Sequence, residues 1–150
     1  MSIDRILKRN ARKVAQLKPD QSICDVLAKL EFEDVGALVV SRSGRKILGI
    51  VSERDIVRGL RYYGAGVLEL TVADLMTPNV ITCEPHDSIR DAASLMRDNA
   101  VRHLPVVENG RVVGIVSIRD LFADEIGESD TQNRDGSLQP GANRERRVIN

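Results

Sequence analysis

Residues 49–55 read GIVSERD, and residues 114–120 read GIVSIRD, with six of the seven letters identical at an offset of 65 positions. Upstream of Lys46, which has no counterpart, the offset becomes 66. The identities at that offset are Pro19 with Pro85, Ser22 with Ser88, Ile23 with Ile89, Asp25 with Asp91, Val35 with Val101, Leu38 with Leu104, Val40 with Val106, Gly44 with Gly110 and Arg45 with Arg111. Self-similarity at this period predicts one supersecondary unit written twice.

Each copy predicts the same order of elements. A short apolar strand, at 14–17 or 80–83, is followed by a proline and by a serine that opens an amphipathic helix. Two further strands follow, at 37–40 and 47–51 in the first copy and at 104–107 and 112–116 in the second. Asn109-Gly110 between the last two is typical of a type I′ hairpin turn. A second helix then begins after Ser52 or Ser117, so each copy is β-α-β-β-α.

The predicted fold class is therefore α/β, with the two repeats packed together about a pseudo-two-fold axis and ligand clefts related by that axis. The predicted boundaries are an N-terminal helix at 1–13, repeats at 14–66 and 67–126, and a disordered tail at 127–150, where the chain turns polar and rich in Gly and Pro. The helix at 1–13 carries an apolar stripe opposite a basic face, which favours packing over nucleic-acid contact. The stripe consists of Ile3, Ile6, Leu7 and Val14.

The composition of the 150 residues excludes several classes of protein. Basic and acidic side chains balance at 22 each, so no net field favours nucleic acid or an anionic membrane, and 3% aromatic residues offer few rings for base stacking. No apolar run approaches the ~20 residues of a membrane span, and the N-terminus has no signal-peptide core, which predicts a cytoplasmic protein. Cys24 and Cys83 lack metal or disulfide spacing and are expected to fill the core.

The sequence also lacks the usual signatures of catalysis. It contains no GxSxG, GxxxxGK[ST] or GxGxxG, and His86 and His103 have no metal-spaced partner. We therefore expect no catalytic residue, no metal and no cofactor acting as catalyst.

The twice-written G-h-h-S-x-R-D motif, where h is apolar, is the candidate binding site. A strand ends there at a helix N-terminus, which brings together backbone N–H groups, a positive dipole end, a hydroxyl and a carboxylate. The hydroxyl and N–H groups suit a phosphate, and the carboxylate suits ribose hydroxyls. The alternative is helix capping, because Ser52 with Asp55 and Ser117 with Asp120 also read as capping boxes, as do Ser22 with Asp25 and Ser88 with Asp91.

Residues 14–121, and most clearly MTPNVITCEPHDSIRDAASLMRDNAVRHLPVVENGRVVGIVSIRDL, resemble a tandem pair of CBS domains, the Bateman module. The resemblance implies an adenosine ligand (AMP, ADP, ATP or NAD), with phosphate contacts from Ser52 and Ser117 and ribose contacts from Asp55 and Asp120. It implies adenine contacts, through backbone and apolar side chains, from two short strands of each copy. These residues include Leu17, Gly36, Ala37, Leu38, Val80, Ile81, Thr82, His103, Leu104 and Pro105.

The two copies differ where Arg102-His103 replaces Gly36-Ala37, so only the second copy brings cationic donors there. The resemblance implies that these residues contact phosphate. The alternatives are a solvated Arg102 and a half-buried, satisfied His103. Arg54 and Arg119 are candidate ligand contacts too, although surface salt bridges are the simpler interpretation.

The predicted function is a homodimeric regulator that binds an adenosine nucleotide and acts in trans on an unidentified protein, since no enzyme, channel or transporter domain is attached. The dimer is expected because the helices at 23–30 and 89–96 would otherwise expose apolar surface. The alternative functions are a protein-interaction module with vestigial clefts and a small nucleotide-processing enzyme.

Overall fold

The computed structural model describes residues 2–10 and 14–123. The helices are α1 (Ile3–Asn10), α2 (Ile23–Glu33), α3 (Glu53–Tyr63), a 3₁₀ helix (Gly64–Glu69), α4 (Val72–Leu75) and α5 (Ile89–Asp98), and residues 118–123 are also helical. The strands are β1 (Gln16–Leu17), β2 (Ala37–Val40), β3 (Gly49–Ser52), β4 (His103–Glu108) and β5 (Arg111–Ser117). The predicted tail at 127–150 lies outside the described residues.

The two sheets confirm the predicted α/β repeat. In the first repeat the strand order is β1-β2-β3, with β1 parallel to β2 and β2 antiparallel to β3. In the second repeat β4 and β5 form an antiparallel hairpin. Asn109 and Gly110 have φ angles of 49° and 74°, as both central positions of a type I′ turn require.

The first strand predicted for the second repeat, at 80–83, is wrong: only Cys83 forms a parallel bridge, to Val106. Its counterpart in the first repeat, β1, pairs Gln16 with Val39. Pro105 occupies the position equivalent to Val39 and has no N–H to donate. The parallel ladder in the second repeat is thereby reduced to the bonds that Cys83 makes with the carbonyl of Pro105 and the N–H of Val107.

The capping motifs form as the sequence predicts. The Ser22 hydroxyl accepts a hydrogen bond from the Asp25 N–H at 3.1 Å, and the Ser22 N–H donates to the Asp25 carboxylate at 2.9 Å. Ser88 likewise accepts from the Asp91 N–H at 3.0 Å. These caps satisfy N–H groups of α2 and α5 that have no partner within the helix.

Buried apolar side chains form two clusters, one in each repeat. The inner faces of α2 and α5 belong to these clusters, and Val26 and Ala92 are fully buried. The expectation that these two helices leave their apolar faces exposed is therefore wrong for all of the predicted face except Leu27, which is 41% exposed. Among the described residues, large exposed apolar side chains lie on α2, at Leu27 and Phe32, and in greater number on and after α3: Val57, Leu60, Tyr62, Tyr63, Leu68, Val113 and Phe122.

The short helices before each repeat are exchanged between the two cores. Ile3 and Ile6 of α1 are fully buried in the cluster of the second repeat, whereas Val72 of α4 is fully buried in that of the first. Isolated bridges join Ser2 to Ser88 and Ser22 to Thr71. The two repeats are therefore interlocked through helices that precede one core in sequence and pack in the other.

Two glycines make the exchange sterically feasible. A Cβ on Gly49 would lie 2.7 Å from Sδ of Met76, which follows α4, and a Cβ on Gly114 would collide with Leu7 of α1. Gly49 and Gly114 are the first letters of the duplicated heptapeptides. Their absent side chains let each exchanged helix approach the strand it covers.

Candidate functional site

Each duplicated heptapeptide passes from the last strand of its repeat into the following helix, so that Ser52 and Ser117 stand at the junction. The Asp120 carboxylate oxygen Oδ2 accepts from the Ser117 N–H at 2.7 Å and from its hydroxyl at 2.6 Å. Asp55 makes the same pair of bonds with Ser52, both at 2.8 Å. The predicted Ser-Asp pairs are thus assembled in both repeats, and they do form capping interactions.

The second carboxylate oxygen of each Asp has a partner that sequence reasoning missed. Asp120 Oδ1 accepts from the side-chain amide of Asn10 at 3.1 Å, and Asp55 Oδ1 accepts from the Thr77 hydroxyl at 3.2 Å. Asn10 ends α1, and Thr77 lies just beyond α4. Each exchanged helix therefore places a hydrogen-bond donor on the Asp of the repeat in which it packs: Asn10 on Asp120 and Thr77 on Asp55. No local sequence signal reveals these contacts.

These bonds limit how each carboxylate can meet a ligand. A carboxylate offers about four acceptor positions, two on each oxygen. In both Asp55 and Asp120 three donors are in place, which leaves one position on Oδ1. One ribose hydroxyl can bind there directly, whereas a second requires Thr77 or Asn10 to yield.

The serine hydroxyls and first helical amides are also engaged. Each hydroxyl hydrogen points to its Asp, so Ser52 or Ser117 would donate to a phosphate only after rotating away. The Glu53 N–H donates to the Gly36 carbonyl at 3.1 Å, and the Ile118 N–H donates to the Arg102 carbonyl at 2.9 Å. The Asp120 N–H also donates, to the Ser117 hydroxyl at 3.3 Å, and Asp55 holds the same capping position after Ser52, so the N–H groups of Arg54 and Arg119 are the first-turn donors left to meet an anion.

His103 lies where the two repeats meet. A Cβ on Gly36 would lie 3.0 Å from His103 Nε2 and 3.6 Å from a carboxylate oxygen of Glu53. The ring of His103 thus occupies space that a side chain at position 36 would fill. The two copies differ here, with Arg102-His103 in the second and Gly36-Ala37 in the first. The His103 ring of the second repeat lies next to Gly36 of the first, where a glycine leaves room for it.

Burial lowers the pKa of His103 below its ordinary value of 6.5. Asp120 and Glu53 raise that pKa and Arg102 and Arg119 lower it further, each by less than burial does. Neutral imidazole is therefore the form that the folded protein favours.

We expect this histidine to make stability depend on pH. The unfolded chain binds a proton on His103 at higher pH than the folded chain does, so the free energy of unfolding falls as the pH drops below about 6.5. His103→Gln should lose less stability between pH 7.5 and pH 5.5 than the wild type, as measured by urea denaturation. Parallel pH profiles for the two proteins would contradict this assignment.

The other predicted site residues divide by exposure. Leu17, Leu38 and Leu104 are at most 1% exposed, so only their backbone could meet a ligand, and Ala37 and Pro105 are buried as well. Val80 and Ile81 are half-buried. The exposed members are Thr82, Arg54, Arg102 and Arg119.

The part of the chain that the structure describes holds no group of three His, Cys, Asp or Glu side chains placed to share a metal ion. No helix in that part is long and apolar enough to cross a membrane.

Comparison with known proteins gives a consistent result. The family described as "CBS domain" matches residues 7–62 and 72–125. An uncharacterised 17.7 kDa protein of Acidianus ambivalens is 36% identical over 110 residues, which are 73% of this chain and 65% of that protein. This chain thus spans about two thirds of the length of that relative.

Two solved structures are similar over most of this chain. The crystal structure of a CBS-domain-containing protein from Agrobacterium tumefaciens is 34% identical, with a TM-score of 0.79, and the match covers 83% of this chain and 99% of that one. A CBS domain protein from Pyrobaculum aerophilum, solved in complex with AMP, is 29% identical with a TM-score of 0.72, and the match covers 87% of this chain and 99% of that one.

Proposed function

Because this chain belongs to the CBS-domain family, with two CBS domains in tandem, we propose that it is a regulatory sensor that binds an adenosine nucleotide between its repeats. The observation that carries the proposal is the twice-built Ser-Asp pair at a strand-to-helix junction, beside the contact between His103 and Gly36. The AMP complex of the Pyrobaculum relative supports the choice of ligand class. AMP, ADP, ATP and NAD share the adenosyl group that such a site would hold.

In this proposal the protein makes and breaks no bond. A nucleotide that prefers one arrangement of the two repeats shifts the population toward it and alters contact with a regulated protein in the cytoplasm. The alternative is a protein-interaction module whose Ser and Asp side chains only cap helices. The hydrogen bonds that Ser52 and Ser117 make with Asp55 and Asp120 favour this alternative.

A thermal-shift panel separates the two functions. A ligand that binds only the folded state raises the melting temperature, and the rise grows with the logarithm of the ligand concentration once that exceeds the dissociation constant. The sensor proposal predicts that at least one of AMP, ADP, ATP and NAD does so at millimolar concentration. Guanosine monophosphate serves as the control for phosphate binding without the adenine base.

Arg102 is expected to make the two clefts unequal. Its guanidinium is exposed beside His103, whereas the equivalent position in the first repeat is Gly36. Arg102→Ala should weaken ATP binding by about tenfold and adenosine binding by less than about twofold, because the charge-assisted bonds reach only phosphate. Calorimetric titration measures both, with Arg97→Ala as the matched surface control. Equal losses for ATP and adenosine would assign Arg102 a structural role instead.

We propose that the regulator is a homodimer that forms through the exposed apolar side chains of α3. Val57 and Leu60 are 65% and 51% exposed and lie three positions apart, so they share one helix face. Val57→Asp combined with Leu60→Asp should halve the mass measured by light scattering, whereas Arg111→Asp should not change it. A monomeric wild-type protein at all concentrations would refute the dimer.

A further inference from the structure

The Ser52-Asp55 pair lies at one end of the first sheet, and a second candidate site lies at the other end. A cavity of about 650 Å³ opens there, and its lining carries three cationic side chains, Lys18, Lys29 and Arg42, with no carboxylate. We propose that this basic corner binds a small oxyanion with at least two negative charges, bearing phosphate or carboxylate groups. This proposal does not rest on nucleotide binding.

The register of the sheet separates the basic corner from the proposed nucleotide site. Ala37 at the start of β2 pairs with Ser52, whereas Val40 at its end pairs with Gly49. The cavity is lined by residues just beyond that far end, including Ser41 and Gly44. The four residue-to-residue steps of extended chain from Ala37 to Ser41 span roughly 13 Å, so one mononucleotide phosphate is not expected to serve both places.

The floor of the basic corner is fixed by satisfied polar groups. Ser41 is 3% exposed, and its hydroxyl accepts from the Gly44 N–H at 3.0 Å and donates to the Lys46 carbonyl at 2.8 Å. Gly44 turns the chain with a φ of 74°, and a Cβ there would lie 3.4 Å from the side chain of Gln16. These contacts hold the Ser41–Gly44 turn that forms the floor of the cavity.

The cations differ in how firmly they are held. The half-buried Lys29 ammonium donates to the Gln16 carbonyl at 2.6 Å, which fixes it at the rim with further N–H donors to offer. Ordering Lys29 therefore adds little entropic cost to binding. Arg42 meets Asp20 at 3.4 Å in a largely exposed pair, which is weak enough for a multiply charged anion to compete with.

The second repeat supplies an internal comparison, because it builds the same corner with the opposite charge. The Ser41 N–H donates to the Leu17 carbonyl at 2.8 Å, and the equivalent Val107 N–H donates to the Cys83 carbonyl at 2.8 Å. The three cations become two carboxylates and a leucine, and a carboxylate is added: Glu84 replaces Lys18, Glu108 replaces Arg42, Leu95 replaces Lys29 and Asp87 replaces Gln21, while His86 replaces Asp20. The backbone alone thus requires no cations, and their concentration at one corner is what points to an anion.

The test is a titration of the whole chain with pyrophosphate and, separately, with citrate, at constant ionic strength, followed by amide NMR shifts. Saturable shifts at residues 16–18 and 41–44 are expected with at least one of the two anions. A response to pyrophosphate alone identifies a phosphate site, and a response to citrate alone identifies a carboxylate site. Shifts confined to 52–55 and 117–120, or no saturation with either anion, would overturn the proposal.

Lys18→Glu combined with Arg42→Glu should weaken this binding at least tenfold. The second repeat already carries Glu at both equivalent positions, so the same backbone tolerates the change. Arg90→Glu combined with Arg97→Glu alters the net charge equally on the exposed face of α5 and should leave binding within twofold. Equal losses of anion affinity in both double variants would refute a local site. A change in the protein's mass by light scattering when an anion is added, without saturable binding, would refute it too.

Discussion

Replacing Asp120 with alanine is expected to weaken AMP binding at the second repeat by about 1–3 kcal/mol, or roughly 5- to 150-fold. The reason is that Asp120 offers its remaining acceptor position on Oδ1 to a ribose hydroxyl. Equilibrium dialysis with AMP measures the loss, and adenosine should lose as much as AMP does because both carry the ribose.

Asp120→Ala also removes bonds that stabilise the fold, so affinity and stability must be separated. Asn10→Ala is the matched control: it deletes one native donor to Asp120 but leaves the carboxylate in place. It should lower the melting temperature while AMP binds as tightly as in the wild type, or more tightly, since a second acceptor position becomes free. If Asp120→Ala lowers stability and leaves AMP affinity unchanged, the carboxylate is a helix cap and not a ribose ligand.

Ile6→Ala is expected to lower the free energy of unfolding by about 2–5 kcal/mol, as deletion of a fully buried side chain does. Ile6 is 0% exposed and belongs to the cluster that includes Met96 and Val116 of the second repeat. An N-terminal helix that merely lay on the surface would not show a loss of this size. Urea denaturation measures the change.

Lys8→Ala in the same helix provides the comparison for helix propensity and charge. Lys8 is 75% exposed and pairs with Asp4 one turn earlier, so its loss should change stability far less than Ile6→Ala does. Equal effects of the two substitutions would show that α1 does not form part of the second core.

The repeat and its local elements were predictable because their signals are local. The strand at 37–40, the Asn109-Gly110 turn and the Ser22-Asp25 cap each depend on residues within a few positions of one another. Periodicity and capping chemistry describe such short-range interactions. The duplication gave the cap and the strand a second instance, at Ser88-Asp91 and at His103–Glu108.

The features that the sequence did not reveal depend on contacts between distant parts of the chain. Asn10 reaches Asp120 across 110 positions, and the equivalent partner of Asp55 is Thr77, a residue of a different type. The sequences of α1 and α4 are not identical at matching positions, because their exchange requires only that an apolar side chain face a glycine. Leu7 faces Gly114, and Met76 faces Gly49. The lost strand at 80–83 follows from Pro105, whose effect appears only once the parallel register is known.

Calorimetric titration of the wild-type chain with AMP, ADP, ATP and NAD tests the central claim most directly. The proposed sensor predicts saturable binding of at least one of these ligands, with no more than two sites per chain and with weakening in Asp120→Ala. Absence of saturable binding by all four ligands to a protein verified as folded would contradict the nucleotide-binding function and leave the Ser-Asp pairs as helix caps.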